Sequence, residues 1–363
     1  AIEVIIQLMG GLGLFIYGMK LMGDGLENAA GERLKNILEK VTSNRLLGVG
    51  IGVIVTAVIQ SSSATTVMVV GFVNAGLMSL AQAAGVIMGA NVGTTITAQL
   101  VAFNLEQVAP IFIFVGAALI MFAKAEKRRE IGNIILGFGI LFTGMSLMSG
   151  AMKPLASSPV FSELLVSIGE KWFIGIAAGA AITALLQSSS ATTGILIALA
   201  STGIIDINIA LPIIFGCNIG TCITALLASI GTNKNAHKAA LLHLIFNLVG
   251  TIAFLPLLGL LAGFVEFTSP EDVSRQIANA HTVFNVINTA LLLPFIDYII
   301  KFINKVIPND EEVEKVGTKY IDDRLLETPV IAAGQVVKET IRMANMAKKN
   351  VELSMKAFTD EDE

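Results

Sequence analysis

The chain has 363 residues, of which 54% are hydrophobic and 14% charged, with a formal net charge of −4. Soluble globular domains carry about 25% charged residues, so this composition, with a mean hydropathy of +0.76, argues against an ordinary soluble protein. Apolar runs recur that are long enough to cross roughly 30 Å of hydrocarbon as helices. Because they are too long and too uniform for barrel strands, we predict an all-α integral membrane protein.

Two apolar segments, 46–75 and 173–203, are interrupted in the middle by the same seven letters, QSSSATT. Their arms, about 12–14 residues each, are too short to span a bilayer. We predict that each is a re-entrant helical hairpin with the polar motif at its tip, since irregular backbone at that depth must line a cavity or be buried in protein. The alternative is one long kinked helix through each motif. Full crossings are predicted near residues 4–22, 81–101, 108–123, 131–150, 209–230, 239–264 and 281–303.

Basic residues divide unequally between the two predicted faces. If each hairpin returns to its own side, one face receives most of the lysines and arginines, and the other receives only Lys153, Lys171 and Arg275. The positive-inside rule makes the rich face cytoplasmic, which places the amino terminus outside and the carboxyl-terminal tail inside. Residues 25–44 are predicted to form an amphipathic helix at the interface, and 151–170 a partly irregular segment.

The sequence repeats itself at an offset of 127 residues. QSSSATT at 60–66 returns at 187–193, and GANVGTTIT at 89–97 compares with GCNIGTCIT at 216–224. Three predicted crossings lie between the two motifs, and because three is odd the second hairpin enters from the opposite face. We therefore predict an inverted repeat, which many secondary transporters use with a substrate site near the midplane. A duplicated scaffold without transport is the alternative.

The predicted membrane core lacks charged side chains. Between residues 46 and 123 the only Asp, Glu, Lys or Arg is Glu106, and between 172 and 232 it is Asp206. Any ligand there is met by hydroxyls, amides and backbone groups. A multivalent anion in this environment needs compensating charge, and co-bound cations are the natural source. These features predict cation-coupled transport of a small oxyanion.

The motif itself fits such a ligand. A helix that begins near Ala64, or near Ala191 in the repeat, points free N–H groups and the positive end of its dipole at the tip, which suits an anion. Hydroxyl oxygens, amide oxygens and unwound carbonyls suit a hard cation such as Na⁺. The alternative for the serines and threonines is close packing of helices through small residues.

Further polar residues lie in the predicted crossings. Asn91 and Asn218 occupy Gly-flanked, Thr-rich stretches that could unwind and contribute to a site, or they make hydrogen bonds between helices. The sequences HLIFN at 243–247 and HTVFN at 281–285 form a second, smaller repeat. Its histidines are either a proton-sensitive or gating pair, or polar contacts between scaffold helices.

The doubled QSSS motif with the downstream Asn-x-Gly-Thr stretch resembles the type II sodium-dependent inorganic phosphate cotransporter family, in its bacterial branch, over roughly residues 4–305. That family couples Na⁺ entry to phosphate uptake. The resemblance implies a symporter of the bacterial inner membrane that binds phosphate and sodium between the two QSSS tips. It assigns substrate binding to Gln60, Ser61, Ser62, Ser63, Ala64, Gln187, Ser188, Ser189, Ser190 and Ala191, and sodium ligation or site support to Thr65, Thr66, Asn91, Thr94, Thr192, Thr193, Asn218 and Thr221.

The resulting domain organisation has three parts. A first inverted repeat covers 1–125, and a second, with an extra terminal helix, covers 126–305. Residues 306–363 resemble the start of a PhoU-like cytoplasmic domain and are too few for a complete helical bundle. The expected partners are phosphate, sodium ions and the lipid bilayer; a homodimer is a plausible assembly, and no nucleic-acid partner is expected. An ion channel or a membrane phosphate-sensing scaffold is the alternative function, and the absence of a nucleophile–base pair or Walker motif argues against an enzyme.

Overall fold

A computed structural model describes residues 2–30, 44–103, 105–154, 171–308, 318, 320–321 and 329–360, and within these ranges all regular secondary structure is helical. Three short 3₁₀ turns adjoin longer helices, at Glu106–Val108, Leu255–Leu257 and Leu293–Phe295. The α-helices are α1 (Ile2–Ala30), α2 (Arg45–Ile59), α3 (Ser62–Asn74), α4 (Leu80–Val101), α5 (Ala109–Phe122), α6 (Glu126–Met152), α7 (Trp172–Leu186), α8 (Ser189–Ser201), α9 (Ile207–Ser229), α10 (Lys234–Phe254), α11 (Leu258–Thr268), α12 (Val273–Leu292), α13 (Ile296–Val306) and α14 (Pro329–Asp360).

Several of these helices have the length and composition of membrane spans, which confirms the predicted all-α membrane class. The crossing predicted at 108–123 is shorter than the others, because α5 and its 3₁₀ turn have 14 and 3 residues. At 1.5 Å per residue it reaches about 25 Å, the lower limit for a span. In the described part of the chain the six long apolar stretches are Ile2–Ala30, Leu80–Val101, Glu126–Met152, Ile207–Ser229, Lys234–Thr268 and Val273–Val306.

Two crossings predicted as single helices, 239–264 and 281–303, are interrupted in the structure. The 3₁₀ turns Leu255–Leu257 and Leu293–Phe295 separate α10 from α11 and α12 from α13. Each turn contains a proline, which has no N–H to donate and clashes with the preceding helical turn. The small repeat that begins at the histidines therefore extends to a shared break 13 residues further on.

The segments 46–75 and 173–203, which contain QSSSATT, have the same backbone conformation where each motif interrupts the helix. Gln60 has φ 58° and ψ 23°, and Gln187 has φ 53° and ψ 26°; among the described residues they alone combine a side chain beyond glycine with positive φ. The hydroxyl oxygens of Thr56 and Thr65 lie 3.0 Å apart across the first break, whereas nine residues of continuous helix would rise about 13.5 Å. The chain therefore turns sharply at each motif instead of continuing as one long helix.

Hydrogen bonds between helix ends define one end of the bundle, which we call the Asn233 end. The backbone N–H and side-chain amide of Asn233, at the start of α10, donate to Asn74, at the end of α3, at 2.8 and 2.7 Å. Arg45, at the start of α2, forms an ion pair of 2.6 Å with Asp297 of α13. Helix α13 packs on α10 near the same end, where Lys238 of α10 donates to the side-chain oxygen of Asn304 of α13 at 2.7 Å. The pair α2–α3 thus begins and finishes at the Asn233 end.

The opposite end, which we call the Arg275 end, collects the far ends of other helices. Arg275, at the start of α12, donates to the side chain of Gln99 near the end of α4 at 3.1 Å. The hydroxyl of Ser274, next to Arg275, donates to the carbonyl of Ile197, one turn before the end of α8, at 3.4 Å. Helix α4 has 22 residues, so about 33 Å separate its two ends. Helices α3 and α8 therefore finish at opposite ends of the bundle.

Close contacts between glycines and carbonyl oxygens join α2 to α4 and α7 to α9. A Cβ on Gly89 would lie 2.1 Å from the carbonyl oxygen of Val49, and one on Gly216 would lie 2.1 Å from that of Ile176. Small residues allow helix backbones to approach this closely. The same separation of forty positions recurs along both helix pairs, so the helices of each pair run in the same direction; these further contacts are Gly85 with Arg45, Gly93 with Val53 and Gly220 with Ala180.

The two repeated halves share their buried cores. One hydrophobic cluster gathers Phe15, Phe142 and Phe215, from α1, α6 and α9. The other gathers Ile87 of α4 and Phe246 of α10. Because each cluster draws on helices from both halves, neither half forms a core of its own.

Helix α14 lies near the Asn233 end, because Lys338 donates to the carbonyl of Gly76, in the turn between α3 and α4, at 3.2 Å.

Two predictions fall mostly outside the described residues. Of the predicted interface helix at 25–44, residues 25–30 continue α1, and 31–43 lie outside. Of the predicted irregular segment at 151–170, residues 155–170 lie outside.

Candidate functional site

The serine after each left-handed glutamine caps the next helix. Ser61 has φ −145° and ψ 104°, and Ser188 has φ −147° and ψ 108°. Each side-chain oxygen accepts a hydrogen bond of 3.1 Å from the backbone N–H three residues later, in Ala64 and in Ala191. Serine is a favoured residue at this position because its oxygen satisfies an N–H that has no acceptor within the helix. The repeat in sequence therefore produces a repeat in backbone geometry.

The helices after the breaks begin earlier than predicted. Helix α3 starts at Ser62 and α8 at Ser189, each two residues before the predicted alanines. The cap uses one amide of the first turn, and the other N–H groups of that turn have no acceptor within the helix. The positive end of each helix dipole lies at the same place. Each break thus combines backbone donors with serine hydroxyls.

The two breaks touch each other. The hydroxyl of Ser63 donates to the carbonyl of Gln187 at 3.3 Å, across 124 positions of sequence. The hydroxyls of Thr94 in α4 and Ser190 in α8 lie 3.4 Å apart. We call the set formed by residues 60–63, 187–190 and Thr94 the break site. It draws on α3, α4 and α8, so both halves of the chain build it.

The two glutamines of the break site differ in their surroundings. The side-chain oxygen of Gln60 accepts a hydrogen bond of 2.8 Å from Thr97, and its amide nitrogen donates to the carbonyl of Ala57. Gln187 is exposed, and its backbone carbonyl accepts from Ser63. The amide of Gln60 is therefore held in place by α2 and α4, whereas Gln187 is exposed.

The threonines that follow each break are buried and hydrogen-bonded in matching ways. Thr65 accepts from Thr56 at 3.0 Å, and Thr192 accepts from Thr183 at 2.9 Å. Both also donate to the carbonyl of the capping serine, at 3.1 and 3.2 Å. A hydroxyl oxygen has two lone pairs, so each keeps some capacity to accept or to bind a cation.

The second threonine of each motif differs between the halves. Thr66 donates to the carbonyl of Ser62 at 2.8 Å, whereas the buried hydroxyl of Thr193 has no hydrogen-bond partner among the described residues. Thr221 donates to the carbonyl of Cys217 within α9 at 2.9 Å. The six threonines among the predicted sodium ligands are therefore buried, and most of their hydroxyls are already bonded to nearby backbone or side-chain oxygens.

Asn91 and Asn218 lie in continuous helices, so of the two alternatives the unwound stretch is absent from α4 and α9 as described. The side chain of Asn91 donates to Asn247 at 2.8 Å and lies 3.1 Å from the ring nitrogen Nε2 of His243. These contacts connect α4 to α10, as in the alternative of an interhelical hydrogen bond. The buried amide nitrogen of Asn218 has no partner in the described part of the chain.

Sequence analysis missed three threonines that support the site. Thr56 and Thr183 bond the first threonine of each motif, and Thr97 bonds Gln60. The signal was present, because Thr56 and Thr183 keep the 127-residue offset of the motifs, and Thr97 belongs to the second repeated stretch. Which polar groups these threonines contact depends on how the chain folds back on itself, and the sequence alone does not give that packing.

The caps give a first testable prediction. Replacing Ser61 or Ser188 with alanine removes an N-cap and is expected to lower the free energy of unfolding by about 1 kcal/mol. The measurement is the melting temperature of the purified protein in detergent. Ser354→Ala, on the exposed surface of α14, is the control and should leave the melting temperature unchanged. A cap variant as stable as this control would contradict the assigned role.

Together these features define a class: an α-helical, multi-pass membrane protein whose polar site is shared between two repeated halves. The family described as Na+/Pi-cotransporter matches the chain twice, over residues 14–150 and 143–293. The chain belongs to this family. Each match contains one QSSS motif, as the internal repeat predicts.

The individual relatives have different names and coverage. The protein YqeW of Bacillus subtilis is 33% identical over 265 residues, which are 73% of this chain and 86% of that protein. The "putative inorganic phosphate export protein YjbB" of Escherichia coli is 27% identical over 350 residues, 96% of this chain but 64% of its own length. Human "sodium-dependent phosphate transport protein 2B" is 37% identical over 100 residues, 27% of this chain and 14% of that protein. No solved structure matches the chain significantly.

Proposed function

We propose that this protein is a sodium-coupled symporter of inorganic phosphate, which binds phosphate and sodium at the break site and works by alternating access. The observation that carries the proposal is the contact between the two breaks, Ser63 to Gln187 at 3.3 Å. The segments that form it are nearly free of charged side chains. A neutral cluster of donors and oxygens at the centre of apolar segments suits an anion that travels with its own counter-ions.

The helix directions support an inverted repeat with two re-entrant hairpins, in repeats at 1–125 and 126–305. The pair α2–α3 begins and finishes at the Asn233 end, as the contact of Asn74 with Asn233 indicates. Helix α8 finishes at the Arg275 end, and α7 runs parallel to α9, which starts there. Two hairpins that enter from opposite sides would meet at one site that each side can open in turn.

Phosphate recognition would rest on the starts of α3 and α8. Both helices direct their positive ends and free first-turn N–H groups at the break site, an arrangement that favours anions. The hydroxyls of Ser62, Ser63, Ser189 and Ser190 lie in those first turns and rotate to donate. The carbonyl of Gln187 and the side chain of Gln60 complete the rim. Phosphate, as the particular oxyanion, comes from the family.

Sodium would supply the positive charge that the site lacks. Hydroxyl and carbonyl oxygens are suitable ligands for a hard cation, and the break site contains both. The threonines at 65, 66, 192 and 193, together with Thr94 and Thr221, are the proposed ligands or supports. Asn218 remains a candidate, whereas the bonds of Asn91 to α10 favour a positioning role for Asn91 over direct ligation.

Charge supports an orientation in the bacterial inner membrane with the Asn233 end in the cytoplasm. That end carries Arg45, Lys234 and Lys238, and the α14 tail lies near it. The Arg275 end is poorer in basic residues, so the positive-inside rule favours this assignment.

The names of the relatives differ in the direction of transport. The human relative is named a sodium-dependent phosphate transport protein and the E. coli relative a putative phosphate export protein. A symporter runs in whichever direction the combined gradients favour.

The test is transport of ³²P-labelled phosphate by the purified chain in proteoliposomes. With sodium outside and potassium inside, we expect saturable uptake that disappears when potassium replaces the external sodium. With the sodium gradient reversed, preloaded phosphate should leave. Protein-free liposomes are the control.

Three other outcomes would count against the proposal. Phosphate movement that ignores sodium would overturn the coupling, and sodium-independent movement with large currents would indicate a channel. No phosphate movement in either direction would favour the sensing scaffold.

A further inference from the structure

Two buried polar clusters correspond to each other through the sequence repeats. The asparagines of GANVG and GCNIG are 127 positions apart, and the His-x-x-x-Asn pairs of HLIFN and HTVFN are 38 positions apart. We call them the first triad (Asn91, His243 and Asn247) and the second triad (Asn218, His281 and Asn285). All six residues are buried.

The first triad is closed by hydrogen bonds. The amide nitrogen of Asn91 donates to the side-chain oxygen of Asn247 at 2.8 Å. The side-chain oxygen of Asn91 lies 3.1 Å from Nε2 of His243. The amide nitrogen of Asn247 donates to the backbone carbonyl of His243 at 3.0 Å. Helix α4 is thus tied to α10 through both atoms of one amide.

The second triad has the same residues but lacks the bonds between its helices. Asn285 donates to the carbonyl of His281 at 2.9 Å, as its counterpart does. The amide nitrogen of Asn218, Nε2 of His281 and the side-chain oxygen of Asn285 have no partner among the residues that the structure describes. These three atoms are the counterparts of atoms that close the first triad. The three residues are 3%, 1% and 0% exposed.

The helices of the second triad already lie side by side at this level. Phe215 of α9 and Phe284 of α12 stack with ring centroids 4.5 Å apart. Asn218 is one helical turn beyond Phe215, and Asn285 directly follows Phe284. A turn rises about 5.4 Å, so a shift of α12 along α9 by a fraction of a turn is the scale of motion that would change these contacts.

We propose that the two His-x-x-x-Asn pairs are positioning residues that hold Asn91 and Asn218 alternately during transport. In the present conformation the first triad is closed and the second open; in the oppositely facing conformation the second closes and the first opens. A buried polar group without a partner disfavours a state, so one open triad in each state keeps the two states close in free energy. Such a balance allows bound ions to shift the populations. The proposal rests on the alternating access proposed above.

The experiment compares matched substitutions in the two triads. Asn247→Ala removes bonds found in the present conformation, and Asn285→Ala removes bonds expected in the other. The double variant loses both sets. Thr143→Val is the control, because the hydroxyl of Thr143 donates to the carbonyl of Gly139 within α6 at 2.8 Å, a bond that does not depend on how the helices are placed. Where alanine impairs folding, Asn247→Ser and Asn285→Ser provide the same comparison.

The readout is which side of the membrane reaches the break site. A reporter cysteine, Ser63→Cys, is placed in a Cys217→Ala/Cys222→Ser background shared by all variants, since serine keeps an acceptor for the amide of Asn247, which donates to Cys222 Sγ at 3.3 Å. A membrane-impermeant maleimide is applied from one side or the other. We expect Asn247→Ala to shift the ratio of the two labelling rates about three- to tenfold for each hydrogen bond lost. Asn285→Ala should shift it in the opposite direction. The double variant should return towards the parent, and Thr143→Val should leave the ratio unchanged.

A purely structural role would give a different pattern. Shifts of both single variants in the same direction, or no shift in folded protein, would overturn the proposal; the latter result is expected if fixed water molecules satisfy the second triad. The labelling needs neither phosphate nor sodium. Opposite shifts in a protein that fails the sodium-driven uptake test would therefore support the triads and reject sodium coupling, so the two failures are distinguishable.

Discussion

Replacing either glutamine of the break site with alanine is expected to reduce sodium-driven phosphate uptake about tenfold or more. Each substitution removes an amide from a site whose polar groups are few and neutral. Hydrogen bonds to charged groups contribute about 1.5–3 kcal/mol, which corresponds to at least a tenfold change. The measurement is the initial rate of labelled phosphate uptake into proteoliposomes, normalised to the amount of inserted protein.

The two glutamine variants should differ in stability. Gln60→Ala leaves Thr97 and the carbonyl of Ala57 without their partner, so its melting temperature should fall as well. The side chain of Gln187 is exposed, and only its backbone carbonyl is bonded, to Ser63, so Gln187→Ala should retain the parent melting temperature.

Two glycine variants distinguish the contribution of the left-handed backbone conformation to transport from that of the glutamine side chain. Gln60→Gly and Gln187→Gly keep the left-handed conformation at less steric cost than alanine, yet they should transport as poorly as the alanine variants. Asn345→Ala, on the exposed part of α14, is the control with normal uptake. Normal uptake by both Gln60→Ala and Gln187→Ala would show that the ligand binds elsewhere.

The features that sequence analysis predicted well are those fixed by local chemistry and by the repeat. Helical crossings follow from apolar runs of sufficient length, because backbone groups in hydrocarbon must be bonded within the chain. The breaks within 46–75 and 173–203 follow from a polar run between short apolar arms. Their similarity follows from identical letters, so both motifs were expected to interrupt the helix in the same way.

The features that it missed depend on neighbours distant in sequence. For Gly-flanked Asn91, an unwound stretch and a hydrogen bond between helices were both left open. The glycines around it allow α2 to approach α4, and the helix stays intact. The partners of Asn91 lie more than 150 residues away, on α10. Proline is itself a local signal for a helix break at Pro256 and Pro294. It was overlooked because the apolar runs around both prolines are long enough for single crossings.

Replacing Gly89 or Gly216 with valine is expected to have the largest effect on folding. A Cβ at either position would lie 2.1 Å from a carbonyl oxygen of the facing helix, and no rotamer change relieves a clash with backbone. Overpacking typically costs about 1–3 kcal/mol, and here an entire helix must move, so we expect the upper part of this range or more. The measurements are the yield of monodisperse protein by size-exclusion chromatography and its melting temperature.

The repeat also makes the comparison between the two glycines informative. Gly89 and Gly216 occupy corresponding positions, and their nearest carbonyls belong to corresponding residues of α2 and α7. Equal environments should give equal losses, whereas a difference would mean that one half tolerates separation of its helices. Gly50→Val is the matched control on α2, because a Cβ at Gly50 would have no neighbour within 4 Å. If Gly89→Val were as stable as Gly50→Val, the close packing of α2 on α4, and with it the position of the first break, would be wrong.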